Sequence, residues 1–86
     1  MVLQIAYKPM SQGFITFEIP SSGFVFDVSL HNDYIEFYYG INKGYNKDDK
    51  VKHKFYGAKL GDEISPLVKI DKAITSKDSY ILFSVL

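Results

Sequence analysis

The chain has 86 residues, 47% of them hydrophobic and 16% aromatic, which is enough apolar material for one small core and too little chain for two. Ten lysines, with no arginine, balance ten acidic residues to zero net charge at pH 7, so no overall field draws the molecule to nucleic acid or to an anionic membrane. The lack of cysteine excludes disulfides, thiolate nucleophiles and sulfur-ligated zinc.

Short apolar and aromatic runs alternate with clusters of Gly, Pro, Ser, Asn and Asp, the punctuation of an antiparallel β protein. The runs predict strands over 2–8, 13–19, 23–30, 33–40, 50–57, 67–74 and 79–85, and hence an all-β single domain over 1–86, a seven-stranded sandwich or barrel. In 13–19 the set Ile15, Phe17, Ile19 alternates with Phe14, Thr16, Glu18. In 23–30 Phe24, Phe26, Val28 and Leu30 alternate with Val25, Asp27 and Ser29, so one set from each strand is expected to face inward. Pro20-Ser21-Ser22-Gly23 reads as a tight turn and Asn32-Asp33 as a two-residue hairpin, which predicts a meander of strands two, three and four. In 33–40, Tyr34, Glu36 and Tyr38 share one face, and Ile35, Phe37 and Tyr39 the other. Residues 65–75 are read as extended, with Val68, Ile70 and Ile74 on one face. A short helix over 66–75 is the alternative, because Ser65-Pro66 resembles a helix start and Leu67, Ile70 and Ile74 also sit at helical spacing. Tyr80–Leu86 is apolar on both faces, as expected of a central strand.

Residues 42–59 hold six of the ten lysines and only two aspartates. On a strand, Lys50, Lys52, Lys54 and Tyr56 share one face, spaced about 6.6–6.8 Å apart, while Val51, His53 and Phe55 share the other. Pairing of this strand with 33–40 through the 41–49 loop would set Tyr34 and Tyr38 beside the lysines, and Tyr45 at the loop tip would offer an anchor for a partner pocket. The expected role is a protein-binding module whose contact residues are Tyr34, Tyr38, Tyr45, Lys50, Lys52, Lys54 and Tyr56. Rings interleaved with cations also suit single-stranded nucleic acid, and exposed tyrosines suit a carbohydrate platform. Alternating lysines equally protect an exposed strand against edge pairing, and a free strand edge is itself a route to a homo-oligomer.

Catalysis is not expected. With no Cys, two His and no Gly-x-Ser-x-Gly, no nucleophile has a base nearby in sequence, and the carboxylate pairs Asp48-Asp49 and Asp62-Glu63 are neighbours in turns. No metal or cofactor is expected: lysines interleave Asn42, Asn46, Asp48 and Asp49, and His31, Asp33 and His53 lack clustered ligand spacing. With no signal peptide pattern and no apolar run near 18 residues, the expectation is a cytoplasmic protein without a membrane partner. The Lys, Asn, Ile, Tyr and Phe content fits an AT-rich coding sequence, as in an accessory or inhibitor protein of a phage or mobile element.

Overall fold

The computed structural model describes residues 1–44 and 49–86. Seven strands follow one another: β1 (Val2–Pro9), β2 (Gly13–Pro20), β3 (Phe24–Leu30), β4 (Tyr34–Ile41), β5 (Lys50–Lys59), β6 (Ile70–Lys77) and β7 (Tyr80–Val85). They form two antiparallel sheets, β1-β4-β3 and β2-β5-β7-β6, packed as an open sandwich rather than a closed barrel. Among the described residues no helix is long and apolar enough to cross a membrane.

One cluster joins the sheets. Ile15, Phe17 and Ile19 from β2 and Phe55 from β5 meet Ile35 and Phe37 from β4, with Tyr80 and Leu82 of β7 closing the cluster. Its centre is aromatic: Phe37 lies 4.6 Å from Phe17 and 4.8 Å from Phe55 between ring centroids. The alternation expected in β2 and β4 is realised, since Ile15, Phe17, Ile19, Ile35 and Phe37 are all buried. β7 is central as expected, hydrogen-bonded to β5 on one side and β6 on the other.

Three expectations are corrected. Strands two to four are not a meander: the β3–β4 hairpin forms at Asn32-Asp33, but β2 pairs with β5 in the other sheet. The turn at Pro20–Gly23 does form, with the Gly23 amide donating to the Pro20 carbonyl at 2.7 Å, but it carries the chain from one sheet to the other. The uniform alternation of 23–30 fails because the β3 register shifts between Val25 and Asp27. That bulge changes the phase, so Val25, Val28 and Leu30 pack on the core while Phe24 and Phe26 are exposed. Finally, neither a helix nor a strand covers all of 65–75. Ser65–Val68 make one turn, held by the Val68 amide on the Ser65 carbonyl at 3.0 Å, and the strand starts at Ile70.

Tight packing at one end fixes β1 and β2 relative to β7. The Tyr80 hydroxyl donates to the Ser11 carbonyl at 2.8 Å and passes directly over Gly57. A Cβ at Gly57 would overlap that hydroxyl and lie 2.6 Å from the Ser11 oxygen. Gly57→Ala is therefore expected to cost about 1–3 kcal/mol, read as a fall in Tm of roughly 4–8 °C per kcal/mol; an unchanged Tm would show that the strand relaxes freely there.

Burial raises the Tyr80 phenol above its ordinary value of 10.0. The folded protein holds this proton to higher pH than the unfolded chain does. Its contribution is intact below pH 10 and is lost as pH climbs through the raised value. Tm is expected to fall more steeply above about pH 10 in the wild type than in Tyr80→Phe; parallel pH profiles would assign alkaline unfolding to other groups.

Candidate functional site

The lysine stripe forms as predicted but without its proposed tyrosine neighbours. Lys50, Lys52, Lys54 and Tyr56 lie on one face of β5, opposite Pro20, Glu18, Thr16 and Phe14 of β2. Tyr34 and Tyr38 belong to β4, which pairs only with β1 and β3 in the other sheet. Both sets point away from the shared core, so they occupy opposite outer faces of the sandwich and no single surface holds them. The reason is topological: the 33–40 and 50–57 runs are consecutive in sequence but do not pair. Tyr45 lies outside the described residues.

On the lysine-bearing face, Phe14 takes the place expected for a tyrosine. The Lys54 ammonium sits 4.7 Å from the centroid of the Phe14 ring, which meets Tyr56 edge-on at 5.1 Å. Glu18 opposes Lys52 directly and offsets part of the positive charge. The β5–β6 connection crosses this side of the sheet, where Ile64 lines a cavity of about 190 Å³ with Tyr56 and Ala58. Ala58 is buried there.

Among the described residues, the outer face of the three-stranded sheet has no such cover. The β1 end contributes Met1, Leu3, Ile5 and Tyr7, β3 contributes Phe24 and Phe26, and β4 contributes Tyr34; these seven keep 40–69% of their surface in water. They are half of the fourteen large apolar residues exposed among the described residues. Rings touch across the strands, Tyr7 to Tyr34 at 5.6 Å, Phe24 to Phe26 at 6.2 Å and Phe26 to Tyr38 at 6.4 Å. At its β3 edge the face runs into a mostly apolar groove of about 280 Å³ lined by Val25, Phe26, Asp27, Val28, Phe55 and Ile74, where the two sheets part.

In the middle of this apolar face sits Glu36, only 8% exposed, between Tyr7 of β1 and Ser29 of β3. Its Oε1 contacts Nε2 of His31, whose ring stacks on Tyr34 at 4.9 Å. Burial, together with the Glu36 charge and a hydrogen bond to Glu36, raises the Tyr38 phenol above its ordinary range. A buried carboxylate is tolerated only when partnered, and here the His31 imidazole touches it. The arrangement holds the tyrosines of the face in fixed positions rather than offering a free charge.

Several of these residues escape a reading of the alternation. Leu3, Ile5 and Tyr7 are the bulkier apolar set of β1, yet they face water while Ala6 packs on the core. Phe24 and Phe26 are turned outward by the bulge. Among the described residues no three His, Asp or Glu side chains gather as a metal site. His53 is half-buried and stacks on Phe17 at 5.8 Å.

Comparison with protein-family models, with curated proteins and with solved structures returns no match. The reading of the site rests on its chemistry.

The His31 pairing is testable by itself. His31→Ala leaves the buried Glu36 carboxylate without its imidazole and is expected to cost about 1–2 kcal/mol in a denaturant titration at pH 7. An unchanged midpoint would mean that His31 does not support the carboxylate.

Proposed function

We propose that the protein is a non-enzymatic protein-binding module and that its contact surface is the outer face of the β1-β4-β3 sheet. The observation that carries this reading is the concentration of half of the exposed large apolar residues on that one face. Monomeric proteins rarely leave contiguous apolar patches above a few hundred Å² in water, and larger ones mark interaction surfaces. The composition agrees, since protein interfaces are enriched in Tyr, Phe and Met and depleted in Lys, and this face carries no lysine. Tyrosine and phenylalanine also lose little side-chain entropy when held, and the Tyr7–Tyr34 and Phe24–Phe26–Tyr38 contacts already restrain them. The mechanism is occlusion: two surfaces withdraw their rings from water and neither is chemically changed. Such action suits a cytoplasmic accessory or inhibitor protein, and the lysine-rich, arginine-free composition suits a phage or mobile element as its source.

A second reading is favoured by the Lys54–Phe14–Tyr56 contacts on the opposite face, where Lys50, Lys52 and Lys54 would follow the backbone of single-stranded nucleic acid and the rings would stack bases. About three phosphate contacts give a slope near −2 in log K against log salt, and Lys52→Ala with Lys54→Ala should lower it by about one. Lack of binding to a labelled oligothymidine at low salt removes this reading.

The primary reading is tested by a photo-crosslinking phenylalanine analogue placed at Tyr7, Phe26 or Glu18 in the expressing cell. Adducts to protein from the first two positions and none from Glu18 are the expected result. No adduct from Tyr7 or Phe26 would remove this face as a protein-contact surface.

A further inference from the structure

We infer that the polypeptide covering the outer face of the three-stranded sheet is a second copy of this chain, so that two copies stack face to face in a symmetric dimer. This rests on the reading of that face as a protein-contact surface and names its occupant.

The first argument is area. At 40–69% exposure, the seven outward residues together present roughly 700 Å², taking about 200 Å² for a large side chain. A standard stable interface buries about 800 Å² per partner, so two such faces, with their rims, supply what a dimer needs. The second is shape. The isolated chain exposes 5690 Å², against about 5,200 Å² expected for a monomer of 9.8 kDa. Its radius of gyration is 13.6 Å against about 12 Å for a compact chain of this length. The excess surface goes with a thin, elongated shape of 44 × 28 × 17 Å.

Charge distinguishes a copy of the same chain from a foreign partner. A strongly charged protein repels its own copies, and this one carries zero net charge at pH 7, with a pI near 6.7. The apolar face offers no set of charges for an oppositely charged partner to match. Its buried carboxylate, Glu36, is already held by His31, and Asp27 lies on the edge strand β3. A two-fold axis through the centre of the sheet, near Tyr38, would bring the outward apolar side chains of β1 and β4 in one copy against those of the other, with Asp27 one strand away on the edge strand β3. The lysine-bearing faces then point outward on opposite sides of the dimer.

Sedimentation equilibrium tests this directly. The wild type is expected to rise from 9.8 kDa towards twice that mass between about 1 and about 200 µM. Tyr7→Glu and Phe26→Glu are each expected to weaken association at least about tenfold, and Leu3→Lys, at a residue 64% exposed and therefore safe for folding, should do the same. Lys52→Glu on the opposite face should leave the dimer intact. A wild type that stays monomeric at about 200 µM overturns the inference. If crosslinks from Tyr7 and Phe26 persist in that case, the face binds a different protein and only its occupant was misassigned; if they are also missing, the contact surface itself was misassigned. Dissociation by Lys52→Glu but not by Tyr7→Glu, Phe26→Glu or Leu3→Lys would place the dimer on the other sheet and overturn the inference as well.

Discussion

Phe17, Phe37 and Phe55 meet between the sheets, and the rest of the molecule is arranged by that meeting. Phe37 is fully buried at the centre of β4, and two rings of the four-stranded sheet close over it. Interior packing tolerates no slippage at such a contact, because a shift of one residue in either strand would turn its whole side-chain set inside out. Fixing Phe37 inward fixes Tyr34, Glu36 and Tyr38 outward, and fixing Phe17 and Phe55 inward sends Phe14, Lys52 and Lys54 the other way. The two outer faces and their different chemistries follow from three rings in the core.

The two faces differ in how they meet water. On the four-stranded sheet, lysines and a crossing connection shield the apolar residues, and the Lys54–Phe14 contact uses an ammonium group to cover a ring. On the three-stranded sheet nothing among the described residues does so. The Glu36 carboxylate at its centre is only 8% exposed and touches the His31 imidazole, so little of it meets water.

Much of this architecture is legible in the sequence. The strand positions follow from apolar runs and turn residues, the inward sets of β2 and β4 from strict alternation, and the central place of β7 from its apolarity on both faces. The pairing of strands is not legible, because β1 with β4 and β2 with β5 are joined across long stretches of chain and no local signal records them. That is why Tyr34 and Tyr38 read as neighbours of Lys52 when a whole sandwich separates them. The bare face stayed hidden for a different reason. Alternation assigns the more apolar set to the core, and in β1 the set Leu3, Ile5, Tyr7 is the outward one, while the bulge in β3 adds a residue that no composition rule announces. Functional or strained positions are where local pattern and final position are expected to disagree.

The interleaved pairing also shapes how the chain comes into being. β1 is made well before its hydrogen-bonding partner, which ends at Ile41, and β2 must wait for a partner that ends at Lys59. On a ribosome adding about 5–20 residues each second, both strands therefore spend seconds as unpaired apolar chain. The first segment with a local partner is the β3–β4 hairpin, and the edge of β4 that it leaves open is the one β1 occupies. Synthesis thus favours an order in which a late hairpin gathers in an early strand. Until the fifth strand has left the exit tunnel, the apolar side of β2 has no strand to pair with.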